Sequence, residues 1–301
     1  MSIPNSILMV RPAAFSFNPE TAETNVFQSK QLRPDVQKKA IDEFDGMTET
    51  LKNSGIEVHV YQDTKKPVKP DAVFSNNWLS THENGTVVLY PMLTENRKLE
   101  VRTDILDDLS KSYKINCIVD LRDENQKALE GTGSIIFDHE NKQAFASESS
   151  RTNLNLYETL CKQLRYKNYS FSATDIKGKP YYHTNIIMSI GSRFTILCSE
   201  SIENMLEKAM ITEAVKQHGH TLIEISRKQA ASFCGNIIEL KGENGPVIVM
   251  SETAFKHFDK AQIQEFELHG KIVKVNIPTI ESIGGGSARC MITGIYLKKL
   301  N

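Results

Sequence analysis

The sequence lacks the features that mark membrane, secreted and nucleic-acid-binding proteins. No apolar run approaches the roughly 18 residues that a membrane-spanning helix requires. The N-terminal stretch has neither the basic region nor the long apolar core of a signal peptide. A formal net charge of −1 removes the electrostatic reason to expect nucleic acid or an anionic membrane as a partner. We therefore expect a cytoplasmic protein.

Cysteine and tryptophan are both scarce. The five cysteines are an odd, scattered set, so we expect no disulfide framework, and no pair has CxxC metal-ligand spacing. They are Cys117, Cys161, Cys198, Cys234 and Cys290. We expect most of them to be small buried apolar residues, and we expect neither a metal nor an organic cofactor. The single tryptophan, Trp78, fits a place in the core or in a pocket wall equally well.

The sequence does contain one pattern five times. Apolar residues recur at three- and four-residue spacing in five stretches, which predicts five helices. These stretches cover about residues 34–53, 98–113, 152–166, 203–218 and 253–268. A short strand-like run follows each predicted helix, and two further apolar segments follow that run. The last unit is one strand short, and residues 6–15 can supply the missing strand.

This repeat, with a period of about 50 residues, predicts stacked supersecondary units. Five helix-and-sheet units around one axis form a five-bladed α/β propeller, with pseudo-five-fold repeats around a central active site. We therefore predict a single catalytic domain over residues 1–301. The alternative is two ordinary α/β domains, which the helix spacing and the strand order favour less.

Residues of chemical interest recur at the same phase of the repeat. Asn77, Glu130, His183 and Asn236 follow one another at intervals of 53 residues, and Cys290 comes 54 residues after the last of them. In a closed ring, equal phase means equal height near the axis. We therefore expect these five side chains to converge although they are distant in the chain.

The converging set has the composition of a nucleophilic site. A cysteine becomes a nucleophile when a nearby cation or dipole favours its thiolate, and Cys290 follows three glycines that let the backbone approach a ligand. His183 can activate the thiol and hand a proton to a leaving amine, while Glu130 can bind and protonate a substrate nitrogen. Each residue alone is more often structural, and only the shared phase favours function. Cys234 is a rival nucleophile, but it precedes a single glycine.

Three motifs resemble those of the guanidino-modifying enzymes, or penteins, which include arginine deiminase, dimethylarginine dimethylaminohydrolase and the amidinotransferases. They are LEGTGS at 129–134, YHTN at 182–185 and GGGSARC at 284–290. The resemblance covers nearly the whole chain and implies the pentein fold, with Glu130, His183 and Cys290 as acid, histidine and nucleophile. It also implies that Arg97 and Arg151 hold the substrate's carboxylate, a task suited to the paired donors of a guanidinium.

Within the superfamily the sequence is most similar to the citrulline hydrolases, or citrulline ureidases. The likeness lies in MVRPAAFSFNPET at 9–21, DAVFSNNWLSTH at 71–82 and ESIGGGSARCM at 281–291. Arginine deiminases hold the guanidinium with two aspartates, where this sequence has Asn77 and Asn185. An asparagine amide both donates and accepts hydrogen bonds, so it suits a neutral ureido group. The predicted substrate contacts also include Asn76, Asn236 and Gly285, with backbone donors near 285–287 for an oxyanion.

The sequence thus predicts a cysteine-dependent hydrolase that converts L-citrulline to ornithine, carbon dioxide and ammonia through a covalent intermediate on Cys290. The nearest alternative is an arginine or substituted-arginine deiminase or dihydrolase, or an amidinotransferase, because asparagine can also accept from a guanidinium. A pentein that binds without catalysis is the alternative of another class, and the Cys–His–Glu set argues against it. The oligomeric state is open, with a homo-oligomer among the possibilities.

Overall fold

The computed structural model describes residues 3–30, 34–122 and 127–300 of the chain. In these residues, strands alternate with short helices and turns. The strands are β1 (Ser6–Arg11), β2 (Glu57–Gln62), β3 (Leu79–Thr81), β4 (Thr86–Leu89), β5 (Cys117–Asp120), β6 (Ile135–Asp138), β7 (Gln143–Ser147), β8 (Lys167–Phe171), β9 (Met188–Ile190), β10 (Phe194–Leu197), β11 (Thr221–Glu224), β12 (Ile238–Gly242), β13 (Gly245–Ser251), β14 (Lys271–Val275) and β15 (Thr293–Ile295). The α-helices are α1 (Pro19–Ala22), α2 (Val36–Asn53), α3 (Glu95–Lys98), α4 (Thr103–Leu109), α5 (Gly131–Ser134), α6 (Leu154–Leu164), α7 (Met205–Lys216), α8 (Arg227–Ala230), α9 (Glu252–His257) and α10 (Lys260–His269).

The strands form five three-stranded sheets of one design. In pairing order these are β15–β1–β2, β3–β4–β5, β6–β7–β8, β9–β10–β11 and β12–β13–β14. In each sheet the first strand named, here called the leading strand, pairs antiparallel with the middle strand, which pairs parallel with the third. Helices connect each parallel pair, because parallel strands need a crossover. The predicted α/β class and five repeated units are confirmed, and closure into a propeller stays a prediction.

The strand near the N-terminus completes the unit that is one strand short. β1 pairs with β15 on one side, where Ile7 lies opposite Gly294. It pairs with β2 on the other side, where Ile7 lies opposite Val58. The first and last units of the repeat are therefore joined in a single sheet, as the pattern of apolar segments predicts.

Two of the five predicted helices are interrupted. Residues 99–102 separate α3 from α4, and Arg102 is extended there, with φ −119° and ψ 97°. The break leaves Arg97 and Glu100 buried and paired with each other. In the last unit, Asp259 separates α9 from α10, because its side chain accepts from the backbone of Gln262 as the N-cap of α10. The other three helices agree with the prediction to within two residues at each end.

Apolar residues of the sheets and helices form the core. Trp78 is 1% exposed and packs with Leu79 and Leu106, so the core interpretation of the single tryptophan is correct. All five cysteines are free thiols, and all but Cys117 are buried, as predicted. Within the described ranges, no helix combines the length and the apolar character needed to cross a membrane.

Candidate active site

The five residues of equal phase share one structural position. Each lies next to a short turn that leads into the leading strand of a sheet, and each is at most 4% exposed. They are Asn77 before β3, Glu130 before β6, His183 before β9, Asn236 before β12 and Cys290 before β15. The repeat therefore carries all five side chains to matching places in their sheets.

Hydrogen bonds join these residues in two groups. His183 Nε2 lies 2.7 Å from Glu130 Oε2. Asn236 Nδ2 lies 3.2 Å from Cys290 Sγ, and Asn185 Nδ2 lies 3.5 Å from the same sulfur. His183 and Cys290 both line one cleft, whose empty volume is about 240 Å³. In the described residues no hydrogen bond joins His183 to Cys290, so a molecule in the cleft would link the two groups.

Glu130 is a fully buried carboxylate with several donors around it. Its Oε2 accepts from His183 and lies 3.5 Å from Arg97 Nη1 and 3.4 Å from Arg151 Nη1, while Oε1 accepts from the Leu93 amide at 3.1 Å. Burial alone would raise its pKa, but the Arg151 charge, the His183 hydrogen bond and the Arg97 charge hold that pKa well below its ordinary value. Glu130 is therefore ionised in the free protein, and it can donate a proton only after receiving one.

His183 is neutral at pH 7. Burial lowers its pKa to about 4, although the hydrogen bond and the charge of Glu130 act in the opposite direction. A neutral imidazole that donates from Nε2 to the Glu130 carboxylate carries its free lone pair on Nδ1. A Cβ atom built on Gly133 would lie 2.7 Å from this Nδ1. The glycine therefore lets the turn before β6 pack directly against the imidazole.

Cys290 is a neutral thiol in the free protein. Burial raises its pKa above the ordinary value, although hydrogen bonds from the backbone near Ser287 and from the amides of Asn236 and Asn185 oppose that effect. A reaction at this sulfur would therefore require the thiol to lose its proton. The rival Cys234 does not line the cleft: its Sγ donates to the Ala254 carbonyl, and burial raises its pKa to about 12.

Arg97 and Arg151 lie in the cleft wall with most of their donors engaged. Arg97 forms a two-pronged pair with Glu100, at 2.8 and 2.9 Å, and donates to Asn77 Oδ1 at 3.0 Å. Arg151 donates to Thr24 Oγ1 from Nη2 at 2.6 Å and from Nε at 3.1 Å. Each arginine retains one amino group, Nη1, whose partner is the buried carboxylate of the site. Both Nη1 groups therefore face the same carboxylate oxygen, Glu130 Oε2.

Asp71 lines the same cleft and was not among the predicted site residues. Its Oδ2 accepts from Asn18 Nδ2 at 2.7 Å and Thr21 Oγ1 at 3.0 Å. Its Oδ1 is buried and has no partner in the described residues. Burial raises the pKa of Asp71, although the Arg97 charge lowers it. The sequence could have indicated Asp71 as a site residue, because it is the first residue of the 71–82 motif that contains Asn77.

Residues 18–29, here called the covering segment, run across the glycine loop of the cleft. Asn25 Nδ2 donates to the carbonyls of Gly284 and Gly285, at 3.3 and 3.2 Å. Gln28 Nε2 donates to the same Gly284 carbonyl at 3.0 Å, and the Ser29 amide donates to the Ser282 carbonyl at 2.7 Å. Asn25, Gln28 and Ser29 lie outside the 9–21 motif and the repeat phase, so the sequence did not indicate their place over the site.

The remaining predicted contacts lie in different places. Asn76 is not brought to the cleft, and its Oδ1 accepts from Asn77 Nδ2 at 2.9 Å. Asn185 is buried beside the sulfur, and its Oδ1 has no partner in the described residues. Gly285 lines the cleft at φ +67°, a backbone conformation that favours glycine. Its amide donates to the Glu281 carbonyl at 2.9 Å, so Gly285 itself is not a free oxyanion donor.

Comparisons with known proteins gave one family and a group of similar structures. A family model described as N,N dimethylarginine dimethylhydrolase, eukaryotic, matches residues 11–297. No curated protein matches the chain. Apo ArgZ, an arginine dihydrolase from the ornithine–ammonia cycle in cyanobacteria, is similar with a TM-score of 0.78 and 17% identity, over 98% of this chain and 41% of ArgZ.

Two shorter structures match over their whole length. The substrate-bound N-terminal domain of ArgZ has a TM-score of 0.73 and 18% identity, over 97% of this chain and 99% of that domain. A DDAH mutant from Pseudomonas aeruginosa complexed with citrulline has a TM-score of 0.69 and 13% identity, over 97% of this chain and 100% of the DDAH chain. The chain thus spans about 41% of the length of ArgZ. At these identities the likenesses show a common fold.

Proposed function

Because the chain belongs to the N,N dimethylarginine dimethylhydrolase family of guanidino-modifying enzymes, we propose that it hydrolyses the ureido group of L-citrulline. The products are ornithine, carbon dioxide and ammonia. In this proposal Cys290 is the nucleophile, His183 carries the proton, and Glu130 orients His183. The five sheets close around one axis, which brings these residues to its centre.

The neutral amides around the Cys290 sulfur are the observation that favours citrulline as the substrate. Asn236 and Asn185 both direct Nδ2 at the sulfur, and Asn185 Oδ1 is buried without a partner in the described residues. A ureido group has an oxygen that accepts and nitrogens that donate, so it can satisfy both ends of such amides. A guanidinium only donates, and it forms its stronger, charge-assisted bonds with carboxylates. The surroundings of the sulfur therefore favour a neutral ureido group.

The charged side chains that line the cleft suit the amino-acid part of the substrate. The Nη1 groups of Arg97 and Arg151 can turn from Glu130 to the substrate's carboxylate, since their other donors already hold the two guanidinium groups in place. The unpartnered Oδ1 of Asp71 can accept from the ammonium group. Both ends of a zwitterionic amino acid thereby find a partner of opposite charge.

The reaction proceeds in two halves. The sulfur bonds to the ureido carbon while the thiol proton passes to His183, whose positive charge Glu130 then balances. His183 gives this proton to the leaving nitrogen as the carbon–nitrogen bond breaks, and the carbonyl remains bonded to the sulfur. Water that loses a proton to His183 then breaks the carbon–sulfur bond, and the released carbamate loses carbon dioxide. Either nitrogen can leave first, and the overall reaction consumes one water molecule in both cases.

A substrate screen tests this proposal. The purified protein is incubated separately with citrulline, arginine and N,N-dimethylarginine, and ornithine, citrulline and ammonia are quantified. We expect ornithine and ammonia in equal amounts from citrulline, and no product from the Cys290→Ser variant. Turnover of arginine or dimethylarginine without turnover of citrulline would overturn the ureido assignment.

An arginine dihydrolase is the second candidate, and the carboxylates of the cleft are the observation that favours it. Ionised Glu130 and the free oxygen of Asp71 could both pair with a cationic substrate. Such an enzyme would release twice as much ammonia per ornithine as a citrulline hydrolase, so the same screen separates the two. An amidinotransferase would require an added amine acceptor, and a non-catalytic pentein would turn over none of the three compounds.

A further inference from the structure

A second cavity lies on the other side of the turn that carries Cys290. Its empty volume, which includes space open to solvent, is about 690 Å³. All five leading strands contribute to its lining. Among these lining residues are Thr81, Asp138, Ile190, Glu239 and Gly294.

Arg289, which directly precedes Cys290, lines this cavity. In the described residues its guanidinium forms no hydrogen bond and no ion pair, and its Nε is buried without a partner. Burial also lowers the pKa of Arg289, although Tyr296 and Cys290 act in the opposite direction. Burying part of a guanidinium without an anion costs free energy. An anion that paired with Arg289 would therefore be stabilised here.

The carboxylates of the cavity do not serve as that counterpart. Asp138 accepts from the backbone and side-chain nitrogens of Asn141, at 2.9 and 2.8 Å. Glu239 accepts from the backbone amide and the hydroxyl of Ser192. Glu140 is exposed at the cavity lining and forms no ion pair in the described ranges. Each buried carboxylate is satisfied locally, and none lies within ion-pair distance of Arg289.

We propose that this cavity binds a small molecule bearing an oxyanion, a carboxylate or a phosphate, which pairs with the Arg289 guanidinium. A guanidinium presents parallel N–H donors that match the two oxygens of such a group. The stacked rings of His139 and Tyr296, whose centroids are 3.7 Å apart, also line the cavity. The ligand lies behind Cys290, outside the substrate cleft.

Calorimetric titration of the full chain at low ionic strength tests this site, with inorganic phosphate and acetate as separate probes. We expect saturable binding of at least one probe to the wild type, and the probe that binds identifies the oxyanion. Arg289→Gln should weaken binding at least tenfold, because a charge-assisted bidentate pair is lost. Glu140→Gln should tighten it a few-fold by removing a negative charge from the cavity. Arg97→Gln, which alters an anion-binding group of the cleft, should leave this binding unchanged.

Circular dichroism establishes that each variant is folded. The proposal is overturned if neither probe binds saturably, or if Arg97→Gln abolishes binding while Arg289→Gln does not. If Arg289→Gln does not fold, the affinity of Glu140→Gln tests the proposal instead. The Glu140 side chain is exposed, so this substitution does not disturb the core. An unchanged affinity in that variant would then exclude the cavity as the binding site.

Discussion

Among single residues, Asn185 contacts the Cys290 sulfur with one end of its amide and leaves the other end without a partner in the described residues. The same position would present two acceptors if it were an aspartate. A carboxylate beside the sulfur would attract a cationic guanidinium and would disfavour the thiolate of Cys290. Replacing the Nδ2 nitrogen of Asn185 by an oxygen would therefore change both the substrate charge that the cleft favours and the ionisation of the Cys290 thiol.

We predict that Asn185→Asp lowers the ratio of kcat/KM for citrulline to kcat/KM for arginine by at least about tenfold, since charge-assisted bonds are roughly twice as strong as neutral ones. Steady-state kinetics with both substrates measures the ratio. Asn76→Asp is the matched control, because Asn76 lies outside the cleft and its Nδ2 has no partner to lose. An equal ratio in wild type and Asn185→Asp would show that the Asn185 amide does not discriminate between citrulline and arginine.

The period of the sequence is sufficient to predict that Cys290, His183, Glu130 and Asn236 lie in one region. The repeat places each of them before an equivalent strand. It could not indicate Asp71 or Asn25, since both lie in segments that depart from the repeat. Their places depend on contacts between distant loops, such as the hydrogen bonds from Asn25 to the glycine loop. The sequence also could not predict the protonation states of Glu130 and His183, because burial and the charges of Arg97 and Arg151 determine them.

At the scale of elements, the covering segment has little structure of its own. Its single helix, α1, has four residues, and hydrogen bonds from Asn25, Gln28 and the Ser29 amide hold the segment to residues 282–285. Such bonds contribute only about 1 kcal/mol each, so this element should open more readily than the sheets beneath it.

We therefore predict that Asn25→Ala raises amide hydrogen exchange in residues 18–29 by about tenfold, because two hydrogen bonds to the glycine loop are lost. The variant should also raise KM for the substrate. Hydrogen exchange with mass spectrometry measures the first effect, with the β13 strand as an internal reference. Val26→Ala is the control, since it shortens an exposed side chain of the same segment. Exchange unchanged in Asn25→Ala would show that other contacts hold the segment.

Helix boundaries illustrate a second limit of sequence patterns. Apolar spacing predicted one continuous helix over 98–113, yet the break between α3 and α4 lets Arg97 and Glu100 pair inside the protein. A buried ion pair needs this geometry, and apolar periodicity carries no information about it. The break at Asp259 was readable in principle, because an aspartate three residues before a glutamine is a capping signal.

For the whole molecule, several histidines are buried in neutral form. Burial lowers the pKa of His183 to about 4 and that of His82 to about 3, and it holds the pKa of His139 well below the ordinary value. The unfolded chain therefore binds more protons than the folded one as the pH falls below about 6.5. The stability that these groups contribute is present above that pH and is lost progressively on acidification.

We predict that the free energy of unfolding falls between pH 7 and pH 5, and that His183 alone accounts for about 2 kcal/mol of the fall. Urea unfolding at the two pH values measures it. His183→Gln should show a fall smaller by that amount, whereas His257→Gln, a change at an exposed histidine, should behave as the wild type. A fall of the same size in His183→Gln and wild type would contradict the burial of a neutral His183.

The pairing of β1 with β15 also bears on the order in which the protein is made. Ser6 faces Ile295, so one edge of the strand synthesised early stays open while the ribosome adds almost all the rest of the described chain. Contacts of such sequence separation form slowly. Cys290 directly precedes the strand that fills this edge. A nascent chain can therefore assemble its other four units first, and Cys290 reaches its buried place only as this sheet is completed.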